Sequence, residues 1–227
     1  MFKPSLILIT LTVLAGCGTR IDSMTRTIDY AIFGEDDVTL SEQEIAGLAY
    51  PYQYLTVSEQ PRIALALGFD DDGIYKWLSG NKEVLTTING RIINLQGLEE
   101  SLVHVEQIDQ DPLRCLLHGK LDCQLTWQPI AIFGRSYNTN EITVQARFSR
   151  QQDETLTLPA GNTVATEYWQ EKMSHNGRQW TNHFWISKAN RRVVKSEQRW
   201  GAERRIFRLT EVKAYAKELQ GGQEQSR

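Results

Sequence analysis

The sequence predicts a mainly β fold, with antiparallel sheets in a sandwich or open barrel-like arrangement and one or two short helices. Three observations carry this. Asn89-Gly90 stands between the β-prone runs Val84–Ile88 and Arg91–Leu95, the strongest short-range hairpin signal available. Ile142, Val144, Ala146 and Phe148 alternate with polar neighbours, as on a half-buried antiparallel strand. No long segment carries helical periodicity.

The elements follow in chain order. Lys3 gives a short basic start, and Leu6–Leu14 is an apolar run too short to cross a bilayer as a permanent helix. Leu14-Ala15-Gly16-Cys17 then resembles the lipobox of a bacterial lipoprotein signal. That resemblance implies that residues 1–16 are removed and that Cys17 is acylated as the new N-terminus. Several acyl chains together supply the anchoring that a single chain cannot. Gly18 occupies the position where aspartate resembles an inner-membrane retention signal, so attachment to the outer membrane is expected. Residues 17–36 read as the lipidated N-terminus and a polar tether.

Ser41-Glu42-Gln43-Glu44 has capping-box spacing and predicts a short helix ended at Tyr50-Pro51. Strands are expected over Gln53–Ser58, Arg62–Phe69, Ile74–Leu78, Val84–Ile88 and Arg91–Leu95, with turns at Asp70–Gly73, Ser79–Asn81 and Asn89-Gly90. Leu98–Glu106 reads as a helix. The alternating segment 142–148 opens a second series of strands: Thr155–Leu158, Val164–Gln170, Gln179–Ser187, Arg192–Trp200 and Arg205–Glu211. Residues 37–216 are therefore expected to form a single β-rich domain, and residues 217–227 a polar tail.

Composition narrows the function. The chain has 227 residues, with 25 basic and 28 acidic side chains. Loss of residues 1–16 takes only Lys3, and so leaves the remainder slightly more acidic. Mild acidity argues against a nucleic-acid partner and against broad attraction to anionic headgroups. Membrane contact is then expected to come from the acyl group.

With Cys17 assigned to lipid, Cys115 and Cys123 remain as an even pair in an oxidising compartment, which reads as a disulfide. A metal pair and two free thiols are the alternatives, although a metal would want more ligands than His118 and Asp122 offer. His118-Gly119 reads as a turn, placing the two cysteines opposite each other on a hairpin or loop.

Catalytic motifs are missing from the sequence. The four histidines are scattered, and no metalloprotease helix, nucleophile elbow, P-loop or dinucleotide glycine pattern is present. Asp70-Asp71-Asp72-Gly73 lacks the ligand spacing of a calcium loop and reads as an acidic turn. No cofactor or metal is expected. Six tryptophans are many for this length. Strand tryptophans are normally core, yet exposed indoles stack on sugar rings, and Trp185 and Trp200 stand as candidates for glycan contact. Arg191, Arg192, Lys195, Arg199, Arg204 and Arg205 cluster late in the chain and read as a solvated face with Glu197 and Glu203 as partners.

Several segments together resemble one family. They are Tyr50-Pro51-Tyr52 leading into Arg62–Leu67, Trp77-Leu78-Ser79, Leu85–Ile93 with its Asn89-Gly90-Arg91, and Gly97-Leu98. Later come Asn182-His183-Phe184-Trp185 and Val194–Gln198. The likeness is to the YjbF/GfcB-type group 4 capsule polysaccharide lipoproteins. It implies a β-rich periplasmic domain tethered to the outer membrane and associated with capsule or exopolysaccharide secretion or assembly. The implied partners are a periplasmic companion, an outer-membrane β-barrel protein and the polysaccharide itself; no catalytic residues are implied. The expected function is thus a non-enzymatic accessory. A carrier of lipidated molecules and a glycan-processing enzyme are the alternatives.

Overall fold

The computed structural model describes residues 37–97, 101–120, 122–135 and 138–217, and the first element among them is a capped helix. Ser41 and Glu44 cap α1 (Glu42–Gly47) reciprocally: the Ser41 hydroxyl accepts the Glu44 N–H, and the Glu44 carboxylate accepts the Ser41 N–H at 2.8 Å. Ile45 packs on Tyr54 and Val212, so α1 covers one face of the sheet that follows.

Five strands come next: β1 (Tyr52–Val57), β2 (Ile63–Asp71), β3 (Ile74–Leu78), β4 (Val84–Ile88) and β5 (Arg91–Gln96). Each pairs antiparallel with its predecessor, so the chain walks outward from β1 to the edge strand β5. The chain then builds a small sheet from β6 (Leu102–Glu106), β8 (Ile130–Arg135) and β9 (Asn138–Thr143). It re-enters the large sheet at the far edge with β7 (Thr126–Trp127), β10 (Gln145–Arg150), β11 (Glu154–Thr157) and β12 (Thr163–His175). From there β13 (Arg178–Ser187), β14 (Val193–Gln198) and β15 (Phe207–Lys213) walk back until β15 pairs with β1. The result is a 12-stranded sheet in which the first and last strands meet at the middle.

This sheet curls without closing. Its edge strand β5 is met by side chains rather than by another strand of the large sheet. The Gln198 amide accepts the Ile92 N–H at 3.0 Å and donates to the Gly90 carbonyl at 2.8 Å, while the Trp200 indole N–H donates to the Ile92 carbonyl at 3.0 Å. Edge polar groups that would invite another chain are thereby satisfied from within. Gly90 is required here on two counts. Its φ is +76°, and an added Cβ would fall 2.6 Å from the Val193 Cβ across the curl. The concave side is filled by Leu55, Leu65, Leu85, Ile92, Leu209 and their neighbours, and Leu102, Val105, Ala131 and Phe133 of the small sheet complete the same core.

Three expectations are corrected. Leu102–Glu106, the described part of the expected helix Leu98–Glu106, is strand β6; residues 98–100 lie outside the described residues. A bulge at Val103 shifts the register against β8, turning both Leu102 and Val105 into the core. Apolar residues three apart then imitate a helical face. The alternating segment 142–148 is two strands rather than one. It changes sheets at Val144, whose N–H donates to the Pro129 carbonyl, so one side-chain alternation serves β9 in the small sheet and β10 in the large one. Finally, residues 112–117 form a helix, α2 (Pro112–Leu117), where a hairpin or loop was expected. Asp111 caps it by accepting the Leu113 N–H, and Pro112 at its start sets φ for the first turn.

Candidate functional site

A cleft of about 280 Å³ opens between the two arms of the curled sheet. One wall carries Tyr75 and Trp77 of β3 and Thr87 of β4; the other carries Gln53 of β1, Ser196 of β14 and Glu211 of β15. The end of α2 and the β13–β14 turn, with Asn190, Arg191 and Arg192, complete it. Tyr75 and Trp77 face the same way because they are two apart on a strand. Their rings meet edge to face at 6.3 Å, and Tyr215 stands edge-on to Tyr75 at 5.7 Å. The Trp77 indole N–H donates to the Thr87 hydroxyl at 3.0 Å, which fixes the ring.

The polar side of the cleft is built on ion pairs. Arg192 makes two bonds of 2.7 Å to Glu211. Arg191 donates to Glu167 at 2.8 Å and to the Leu116 carbonyl at 2.5 Å, tying the β13–β14 turn to α2. Burial pushes the Glu167 carboxyl up, but hydrogen bonds from Arg191 and Trp169 and the charges of Arg191 and Arg150 prevail and hold it below the usual carboxylate range. Four atoms around the cleft have no hydrogen-bond partner among the described residues: Gln53 Nε2, Asn190 Oδ1, Arg191 Nε and Arg192 Nη1.

What positions α2 lies deeper. Arg91 is wholly buried and bonds to Asp111 and Glu171 with distances of 2.6–3.1 Å. The Trp127 indole and the Asn182 amide also donate to Glu171. Rings of Trp127, Phe148, Phe184 and Trp200 surround the guanidinium at 4.8–5.8 Å. Burial alone would pull the Arg91 pKa down, but the two carboxylates reverse this and keep it charged. Because Asp111 is also the α2 cap, the buried cluster fixes the helix whose last turn borders the cleft. A disulfide between Cys115 of α2 and Cys123, with Cα atoms 5.7 Å apart, secures the same corner.

The sequence candidates fall in different places. Cys17 lies outside the described residues. Cys115 and Cys123 are bonded as expected from their pairing. Trp185 and Trp200 are only 6% and 3% exposed, so neither offers a face to a glycan. Each spends its indole N–H inside the protein, Trp185 on Glu154 and Trp200 on the Ile92 carbonyl. Of the late basic residues, Arg191 and Arg192 are tied to Glu167 and Glu211 rather than to Glu197 or Glu203. Glu203 pairs with Arg178, Glu197 with Arg208, Arg204 lies over the Phe133 ring, and Lys195 over Trp185. Sequence reasoning missed the roles of Arg91, Gln53 and the Tyr75/Trp77 pair. Only the last left a signal, two aromatic residues two apart in a short strand.

The match to known proteins covers this whole architecture. Residues 25–212 match the family model described as group 4 capsule polysaccharide lipoprotein GfcB, YjbF. The chain belongs to the YjbF family. Among its relatives, a YjbF-family protein of Escherichia coli K12 named uncharacterized lipoprotein GfcB is 33% identical over 202 residues, covering 88% of this chain and 93% of that one. The lipoprotein named YjbF from the same organism is 24% identical, covering 94% and 99%. The crystal structure of the hypothetical lipoprotein YmcC of E. coli K12 superposes with a TM-score of 0.72 at 29% identity, covering 85% of this chain and 95% of that one. The Asn89-Gly90-Arg91, Asn182–Trp185 and Val194–Gln198 segments that carried the likeness supply Arg91 and Asn182 of the buried cluster and the Gln198 edge contacts.

Proposed function

We propose that this protein is a lipid-anchored accessory of capsule or exopolysaccharide secretion or assembly, held by acylated Cys17 at the periplasmic face of the outer membrane and working without catalysis. The observation that carries the reading is membership of the capsule polysaccharide lipoprotein family across residues 25–212. The lipobox-like Leu14–Cys17 supports the anchor. Its partners on this reading are an outer-membrane β-barrel protein and periplasmic proteins of the export system, together with the polysaccharide, and not nucleic acid.

The interior supports an accessory role over the alternatives. Asp111 and Glu171, two carboxylates that share one arginine, are both buried around Arg91, where no glycosidic bond could reach them. The concave side of the sheet is packed with side chains, and the cleft beside it is lined by charged groups that an acyl chain would strip of water. Deletion of the gene in its own cells, with surface polysaccharide measured while the neighbouring genes remain expressed, tests the reading. Reduced surface polysaccharide is expected; an unchanged amount would overturn it.

A further inference from the structure

Gln53 and Arg192 are only 9% and 8% exposed, yet Gln53 Nε2 and Arg192 Nη1 have no partner among the described residues. Asn190 Oδ1 and Arg191 Nε share that condition, and all four residues line one cleft. Buried polar atoms in folded proteins are satisfied by protein, by water or by a ligand, so a cluster of them marks a place where oxygens are received. The charge of both guanidiniums is already matched, Arg191 by Glu167 and Arg192 by Glu211. What they still offer is the Nε–H of Arg191 and the two N–H of Arg192 Nη1, which suit neutral hydroxyl oxygens. Asn190 Oδ1 can accept a hydroxyl proton in return.

The facing wall has the opposite character. Tyr75 and Trp77 are half-buried, and the Trp77 N–H is spent on Thr87, so the indole presents ring surface rather than a donor. A pyranose has the same two sides, an apolar face of C–H groups and a rim of hydroxyls. We propose that the cleft binds a sugar ring of the polysaccharide, stacked on Tyr75 and Trp77, with its hydroxyls on Gln53, Asn190, Arg191 and Arg192. At about 280 Å³ the space lies just below the ~300–1,000 Å³ of small-molecule sites, fitting one ring of a chain rather than a long stretch. This rests on the polysaccharide role proposed above.

The test uses the full-length protein in detergent micelles. The probes are maltotriose, trigalacturonate, and oligosaccharides released by mild acid from the surface polysaccharide of the same cells. Saturation-transfer NMR and tryptophan fluorescence titration report binding. The released oligosaccharides are expected to bind, with Tyr75→Ala weakening binding by about tenfold, a change of ~1.4 kcal/mol. Gln53→Leu is expected to weaken binding while leaving the thermal midpoint unchanged or raised, because it removes a donor that bonds nothing in the fold. Binding of none of the three probes, or affinities within about twofold of wild type in both variants, would overturn the proposal. Trigalacturonate bound in preference to the other two would also overturn it, since Glu167 and Glu211 already match the charge of both guanidiniums. If the deletion strain lacks surface polysaccharide while no probe binds, the cleft proposal alone fails. If probes bind while the deletion strain is normal, the cellular role alone fails.

Discussion

At Arg91 a fully buried guanidinium faces two carboxylates that are as well sealed as itself. Removing one member of such a cluster leaves charge in the core without a partner. Arg91→Met is therefore expected to cost about 3–5 kcal/mol, a large share of the ~5–15 kcal/mol typical of a domain. Chemical denaturation measures it, and adding Glu171→Gln should recover part of the loss because it removes one unpaired charge. A second residue-scale effect concerns His183, which lies beside the stacked pair of Tyr168 and Trp185, 5.9 and 6.2 Å from their rings, with Nδ1 2.6 Å from the Tyr168 hydroxyl. Burial holds its pKa below the ordinary 6.5; the charges of Lys195 and Arg199 add to this against the pull of Glu197. The unfolded chain then takes up the proton at higher pH than the native state. The His183 contribution to stability is whole above pH 6.5 and is lost as the pH falls through the lowered value. Thermal midpoints measured from about pH 7.5 down to 5 should decline, and the decline should be smaller in His183→Gln.

The elements show what the sequence reveals and where it misleads. Hairpins were legible because turn chemistry is local: Asn89-Gly90 and the capping box at Ser41 each specify geometry through a few adjacent residues. Strand β6 was illegible as a strand, since its bulge at Val103 places Leu102 and Val105 on one face at helical spacing. Helix α2 was hidden because its cap, Asp111, looks like any loop aspartate until Arg91, 20 residues away, turns it inward. The cleft was hidden for a related reason. Gln53, Tyr75 and Arg192 meet only when β1, β3 and the β13–β14 turn are brought together by the curl. The tryptophans proved the opposite case: their strand propensity predicted core packing, and Trp185 and Trp200 are core. At this scale the disulfide closes a separation of 8 residues at the end of α2. Replacing Cys115 and Cys123 with serine is expected to cost about 2–3 kcal/mol by the loop-entropy estimate, measured by denaturant midpoint under oxidising conditions.

Across the whole molecule, two arms of one sheet are held in a curl by side chains rather than by closure of a barrel. Gln198 is the main clasp, bonding both the Ile92 N–H and the Gly90 carbonyl. Gln198→Leu should cost about 1–3 kcal/mol by leaving those buried backbone groups unmade, and should loosen the cleft between the arms. Hydrogen exchange at Ile92 would report it as faster amide exchange. No helix among the described residues is long and apolar enough to cross a membrane, and in the function proposed above the acylated Cys17 holds the domain there. The account therefore makes Cys17 decisive for where the domain works. In cells lacking their own copy, wild-type protein and Cys17→Ser are compared for membrane attachment and for surface polysaccharide. The account predicts that Cys17→Ser is folded, released from the membrane fraction and unable to restore the polysaccharide; retained attachment, or full restoration by the released protein, would contradict it.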